Sequence, residues 1–257
     1  MLYKAKTARN LLTATRVIQN NLVTFPVAGV TWMYKLLKRQ HVECSRSEVR
    51  GIFIGLNLLR KRSAPRPRTT DSRHEHERYP NLVRDLPAQR PDHIWAVDTL
   101  ELYIHRRKAF LALIEDIYTR RVMGFALSPS NDSLLTLEAL EMALKAGKPE
   151  IHHSDQGKTY AATRYTGRLL NLKVQISMAA AGRAWENGFA ERLNRTFREQ
   201  EISRSEYDNI NQARQSIAAY VKLYNHKRMH QGLGYLTPAE VYEAYDKDKE
   251  TGDDSPL

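Results

Sequence analysis

The sequence predicts a mixed-sheet α/β domain, preceded by a small helical region and a proline-rich linker. Three observations predict it. Apolar residues recur with helical spacing before residue 60 and with strand alternation after residue 92. Beyond 92 the segments run as three strands first and then alternate strand with helix, the order of a mixed sheet flanked by helices. Half of the ten prolines lie between Pro65 and Pro91, among Arg, His and Asp, where missing N–H donors and restricted preceding residues favour extended chain. The expected division is 1–63 helical, 64–92 linker, 93–245 α/β core with a C-terminal helical extension, and 246–257 an acidic, frayed tail.

In chain order, Trp32, Leu36 and Leu37 make an apolar stripe for a helix over about 30–40. Ser45 and Glu48 have capping-box spacing and open a second helix, with Val49, Ile52, Phe53 and Leu56 inward and Arg46 and Arg50 near its leading end. Two short helices joined by a tight turn read as a helix-turn-helix, and equally as any helical hairpin. Residues 94–105, 109–115 and 121–128 are alternating or apolar runs, read as a strand meander. A helix follows on Leu134, Leu137, Ala139, Leu140 and Leu144, ended at Gly147. A strand at 151–153, a helix at about 160–172, a strand at 174–178 and helices at about 185–200 and 209–225 complete the core.

The net charge is +11 and is unevenly placed. Residues 1–92 hold 18 Lys and Arg against 7 Asp and Glu, whereas the remainder holds 22 of each sign. A basic segment attached to a balanced domain points to a polyanion-binding module, and a solubilising segment is the plain alternative. No apolar run approaches the roughly 18 residues of a membrane span, and no secretory signal opens the chain, so no membrane partner is expected. The single cysteine, Cys44, excludes a disulfide framework and a multi-cysteine zinc module and fits a reducing cytosol. His74 and His76 in the linker have the spacing for an adventitious metal contact.

Three carboxylates stand out. Asp98 shares strand parity with Ile94, Ala96, Leu100, Leu102 and Ile104, so it interrupts an apolar row and needs a cation, hydrogen bonds or exposure at the rim. Asp155 follows a short apolar strand in His153-Ser154-Asp155-Gln156-Gly157. That is turn chemistry, and it is also the strand end where α/β sheets bind ligands. Glu191 lies on a helix whose apolar stripe is Phe189, Leu193 and Phe197, sharing the other face with Asn187, Asn194, Arg195 and Arg198. A solvated face with a Glu191–Arg195 pair explains it alone. Together, three acidic groups from two strands and a helix can hold two divalent ions about 4 Å apart for in-line phosphoryl displacement.

The chain resembles bacterial insertion-sequence transposases of the OrfB type, within the retroviral-integrase-like DDE superfamily. The resemblance runs in order over about residues 90–244. It rests on Trp95-Ala96-Val97-Asp98-Thr99, then His153-Ser154-Asp155-Gln156-Gly157 with Tyr160, then Trp185-Glu186-Asn187-Gly188-Phe189-Ala190-Glu191-Arg192. It continues with Tyr224-Asn225, Arg228, His230 and Leu233-Gly234-Tyr235-Leu236-Thr237-Pro238-Ala239-Glu240, and 35 residues separate Asp155 from Glu191. Glu186 stands where the family commonly has Asp, and Lys158 where it often has Ser or Thr. The resemblance implies a ribonuclease-H-like five-stranded sheet. It implies Asp98, Asp155 and Glu191 as catalytic metal ligands, with Asp98 bridging two Mg2+ ions for which Mn2+ can substitute. It implies nicking to free a 3′-hydroxyl and strand transfer with no covalent protein–DNA intermediate, chemistry that needs positioning and charge stabilisation.

The implied partners are double-stranded DNA at element ends and target, further copies of the chain on DNA, and an OrfA-type protein. The implied location is the bacterial cytoplasm, associated with the nucleoid. Candidate DNA contacts are Arg46, Arg50, Lys158, Asn187, Arg195, Arg198, Tyr224, Asn225, Arg228 and His230, with core packing the alternative for Tyr224 and plain surface charge for the cations. The competing functions are a catalytically inactive DNA-binding regulator and a nuclease on the same fold.

Overall fold

The computed structural model describes residues 2–59, 76–180 and 183–251. The described chain divides into two compact units: the N-terminal helices with Met229–Tyr235, and the rest.

The first unit has three helices, α1 (Leu2–Thr24), α2 (Val30–Arg39) and α3 (Arg46–Gly55). Ala14 and Ile18 of α1, Met33 and Leu37 of α2, and Val49, Ile52 and Phe53 of α3 form its core. The capping box at α3 is formed in both directions: Ser45 N donates to Glu48 Oε2 at 2.6 Å, and Glu48 N to Ser45 Oγ at 3.2 Å. Residues 229–235 belong to this unit. Trp32 Nε1 donates to the Met229 carbonyl at 2.8 Å, and the Lys35 ammonium lies 5.5 Å from the Tyr235 ring centre. The sequence reading contains neither α1 nor this returning segment.

The second unit is a five-stranded sheet built from β1 (Ile94–Ile104), β2 (Arg107–Asp116), β3 (Val122–Ser128), β4 (Ile151–Ser154) and β5 (Gln175–Met178), in the order β3-β2-β1-β4-β5. The first three are antiparallel, while β4 and β5 run parallel to β1. The β1–β2 hairpin turns on His105 and Arg106, at φ 43° and 64°, the left-handed pair of a type I′ turn. Between β3 and β4 lies α4 (Ser133–Leu144), and between β4 and β5 lie the single turn α5 (Lys158–Ala161) and α6 (Thr163–Asn171). The expected helix at 160–172 is therefore broken at Ala162, whose φ and ψ are extended. After β5 come α7 (Gly188–Gln200), entered through a 3-10 turn at Ala184–Asn187, then α8 (Ile210–His226) and α9 (Pro238–Thr251).

Each sheet face has its own core. Trp95, Val97, Ala112 and Ile114 pack with α4, α5 and α6 on one side. Leu100, Leu102, Leu111 and Leu113 pack with Leu193 and Phe197 of α7 and with Ile217, Tyr220 and Tyr224 of α8 on the other. The stretch 64–92 is described only from residue 76, and that part, without helix or strand, is fastened to the sheet. Leu82 N donates to Ser177 Oγ at 2.9 Å, Met178 N to the Pro80 carbonyl at 3.2 Å, and Val83, Leu86 and Ala88 pack on Ile94 and Ala96. His74 lies outside the described residues. The expected tail from 246 is corrected in part, because α9 continues to Thr251 and only 252–257 lie outside the description. Gly252 is the first strong helix breaker after Pro238. No described helix is long and apolar enough to cross a membrane.

Candidate active site

Asp98 stands on the β1 face that α7 covers. Its even-numbered neighbours decide this: Ile94 and Ala96 touch Ala190, and Leu100 belongs with Leu193 and Phe197. Its carboxylate is held at both oxygens, Oδ1 accepting from Thr99 N and Oδ2 from Asn194 Nδ2, each at 2.8 Å. Asp155 directly follows β4, which pairs in parallel with β1 through Ile94–Ile151, Trp95–His152 and Ala96–His153. Asp98 and Asp155 each lie two residues past the last pair of that ladder. Asp155 Oδ1 accepts from Gly157 N at 2.9 Å.

Two asparagines bolt the helix that carries Glu191 to β1. Asn187 Nδ2 donates to the Val97 carbonyl at 3.0 Å, and Asn194 Nδ2 to Asp98. These residues stand four before and three after Glu191, the spacing of one helix face. Both are buried, at 4% exposure, and their Oδ1 atoms are buried without a hydrogen-bond partner. The sequence groups both with Glu191 on the face away from the apolar stripe, and offers Asn187 as a DNA contact. The structure buries both amides against β1, which supplies their acceptors, so Asn187 is not presented to DNA. Phe189, expected in the buried stripe, is 36% exposed, with the Arg120 guanidinium 4.0 Å above its ring.

The surroundings are ordered by buried polar groups. The Tyr160 hydroxyl lies 2.6 Å from Thr99 Oγ1. Burial, and then the charges of Asp98 and Asp155, hold its proton well above the usual tyrosine range, so the hydroxyl sits in the field of both aspartates. Behind Asp155, His153 is pushed down to about 4 by burial, and its ring bridges Ser177 Oγ at 2.8 Å and the Glu186 carbonyl at 3.2 Å. Glu186 takes hydrogen bonds from Ala180 N, Asn81 and Arg84, and the backbone bond first among these holds it down at about 2. It fixes the approach to α7, a role with no signal in the sequence. Glu115, on the α7 face of β2, is pushed up to about 8 by burial against the opposing charge of Arg120.

The other expected site residues divide. Lys158, three residues after Asp155, and Arg195 and Arg198, four and seven after Glu191, are exposed, as are Arg46 and Arg50 on α3. Arg228 is half-buried, with Nε 3.3 Å from Gln200 Oε1, and His230 lies in the first unit. Tyr224 and Asn225 are core residues. Asn225 accepts from Val122 N and donates to the Val122 carbonyl, both at 2.9 Å, which uses its amide at both ends. Neither side chain is presented to a ligand. Among the described residues no three His, Cys, Asp or Glu side chains are drawn together closely enough to hold a metal ion, Asp98, Asp155 and Glu191 included.

Two family models match, both described as integrase core domain, over residues 88–184 and 172–238. The protein of insertion element IS600 from Shigella sonnei, described as an uncharacterized 31 kDa protein, is 31% identical over 182 residues, 69% of this chain and 67% of its own. The transposase for IS629, also from Shigella sonnei, is 29% identical over 221 residues, 85% of this chain and 75% of its own. The chain belongs to the insertion-sequence transposases with an integrase core. The solved HTLV-2 integrase catalytic core, in complex with magnesium, covers 61% of this transposase and 99% of its own chain at a TM-score of 0.51 and 16% identity, a likeness of fold. As a DDE transposase it is a polynucleotidyl transferase, an enzyme that exchanges phosphodiester bonds. The ribonuclease-H-like architecture expected from the resemblance is the one observed.

Proposed function

We propose that this transposase nicks DNA at the ends of its element and joins the freed 3′-hydroxyl to target DNA, with Asp98, Asp155 and Glu191 as its metal ligands. The observation that carries this is the pair of asparagine bolts, four residues before and three after Glu191, that tie its helix to β1 at Val97 and at the Asp98 carboxylate itself. The donor set fits a hard divalent ion such as Mg2+, since it is all oxygen and lacks thiolate or imidazole. The orphaned amide oxygens of Asn187 and Asn194 add acceptors beside it. When bound, a pair of such ions would polarise the attacking and leaving oxygens of an in-line displacement. Asp98, whose carboxylate is already held by Thr99 N and Asn194, would be the ligand shared between the ions, with Asp155 and Glu191 holding one each. Water would attack the phosphorus and break its bond to the 3′-oxygen, which leaves as the free 3′-hydroxyl while the phosphate stays on the 5′ side. That hydroxyl would then attack a target phosphodiester, forming the joint as the target's own 3′-oxygen leaves as a hydroxyl.

Lys158, Arg195 and Arg198 are the cations that would steady phosphates near the carboxylates. In the first unit, α3 would enter the major groove with Arg46 and Arg50 foremost. The working assembly would be several copies on nucleoid DNA, with an OrfA-type protein supplying further end recognition.

The test uses the full chain, Mg2+ and a linear duplex carrying the DNA that borders its coding sequence. Nicked and joined products are expected. Asp98→Asn, Asp155→Asn and Glu191→Gln should each lower both by at least about a hundredfold, since each removes charge from the transition state. DNA affinity and the thermal midpoint should hold. Near-normal activity in any one of them removes that residue from the ligand set, and cleavage without joining makes the protein a nuclease.

A further inference from the structure

The two aspartates are connected by a run of contacts that charge alone does not require. The β1–β4 ladder ends at the pair Ala96–His153, two residues short of the carboxylates. Beyond it, the separation of Asp98 from Asp155 is left to side chains. Thr99 N fixes one oxygen of Asp98, and Thr99 Oγ1 lies 2.6 Å from the Tyr160 hydroxyl. Tyr160 is 3% exposed and is rooted in the core against Tyr165, ring centres 5.8 Å apart. Its ring backs the Asp155 loop closely: a Cβ on Gly157 would lie 3.4 Å from Tyr160 Cδ2 and 2.8 Å from Asp155 Oδ1. Gly157 N is the donor to that same oxygen, and Tyr160 N bonds back to the Gly157 carbonyl at 3.0 Å.

We propose that Tyr160 is a positioning residue whose hydroxyl, paired with Thr99, sets the spacing of Asp98 and Asp155 beyond the end of their shared ladder. This rests on the reading of the two aspartates as metal ligands. A two-ion site tolerates little change in ligand spacing, and Mg2+ demands near-ideal octahedral geometry at 2.0–2.1 Å. Removing the hydroxyl lets the Asp155 loop drift from β1 while DNA contacts elsewhere stay in place. The loss therefore falls on metal affinity and turnover.

The experiment compares the full-length Tyr160→Phe, Thr99→Val, Thr99→Ser and double Tyr160→Phe/Thr99→Val proteins with the parent, using nicking of the same duplex across a Mg2+ titration. Tyr160→Phe and Thr99→Val should each lower kcat by about tenfold, the worth of one hydrogen bond in a barrier. Each should raise the half-saturating Mg2+ concentration and leave the KM for DNA unchanged. The double variant should be no worse than either single, because both delete one interaction. Thr99→Ser, which keeps the hydroxyl, should restore the parent values. Should Tyr160→Phe fail to fold, Thr99→Val at its half-buried strand position carries the same comparison. Parent-like kcat and Mg2+ midpoint, or losses that multiply in the double, overturn the proposal. Asp98→Asn separates the two readings: if it is inactive while Tyr160→Phe is normal, only the positioning role falls, and if it is active, the ligand assignment itself falls.

Discussion

Glu115 is a buried acid, next to last in β2 after an apolar run. Its folded-state pKa of about 8 is raised by burial. In the unfolded chain the group ionises above about 4.5, whereas in the folded protein it stays protonated. Its contribution is therefore fully present below pH 4.5 and is lost as pH rises towards 8. Glu115→Gln should remove that loss and stabilise the protein by a few kcal/mol at pH 8, at about 1.4 kcal/mol per pH unit, and by nearly nothing at pH 4.5. Urea unfolding of both proteins at the two pH values reads the difference, and an equal gap at both would mean that Glu115 is ionised in the fold. His152 and His153 act in the opposite sense. Burial holds them at about 3 and about 4, so the stability they contribute is present above pH 6.5 and is lost as pH falls through those values.

Elements were legible in the sequence where one period governed them. The three strands of the meander and α4 follow from alternation or helical spacing within a residue or two, as do α3 and its Ser45–Glu48 box. What escaped was set by partners distant in sequence, apart from one local helix start. The Thr237-Pro238-Ala239-Glu240 stretch was read for its likeness to a family, although it is also a helix start: Thr237 N donates to Glu240 Oε2 at 2.7 Å and Glu240 N to Thr237 Oγ1 at 3.2 Å. The burial of Asn187 and Asn194 on the polar face of α7 escaped because β1, ninety residues earlier, supplies their acceptors. Of the three carboxylates only Asp98 was anomalous alone, and Asp155 and Glu191 stood out in combination with it, whereas the Glu186 anchor and the Tyr160 contact depend on atoms no pattern brings together. Two substitutions probe this scale. In β3, a Cβ on Gly124 would fall on the Ala139 carbonyl and within 2.7 Å of Ala143 N, so Gly124→Ala should push α4 off the sheet and cost about 1–3 kcal/mol in a denaturant melt. At the β1–β2 turn, replacing His105 and Arg106, both at positive φ, by Asn and Gly should instead raise stability by up to about 1 kcal/mol.

On the scale of the molecule, charge and topology make different divisions of the chain. The whole excess of positive charge lies before residue 93, yet the unit that holds α1, α2 and α3 also contains Met229–Tyr235, tied to α2 by a hydrogen bond between residues 197 apart. Deleting residues 1–92 would strip 229–235 of Trp32 and Lys35 as well as removing basic surface. A truncation therefore confounds DNA contact with folding, and point changes on the intact chain do not. Arg46 and Arg50 suit this purpose, because both are exposed and lie beside a formed cap rather than in the Val49–Ile52–Phe53 core. If α3 is the helix that meets DNA, Arg46→Ala with Arg50→Ala should flatten the plot of log affinity against log salt by about two, at about 0.9 per phosphate contact. Loss of preference for the bordering DNA over unrelated duplex should accompany it if either arginine reads a guanine edge. The thermal midpoint should move by no more than a degree or two, since exposed substitutions fall within about 0.5 kcal/mol. An unchanged slope at unchanged stability would take DNA holding away from α3 and leave it to the arginines around the carboxylates, Arg195 and Arg198 first.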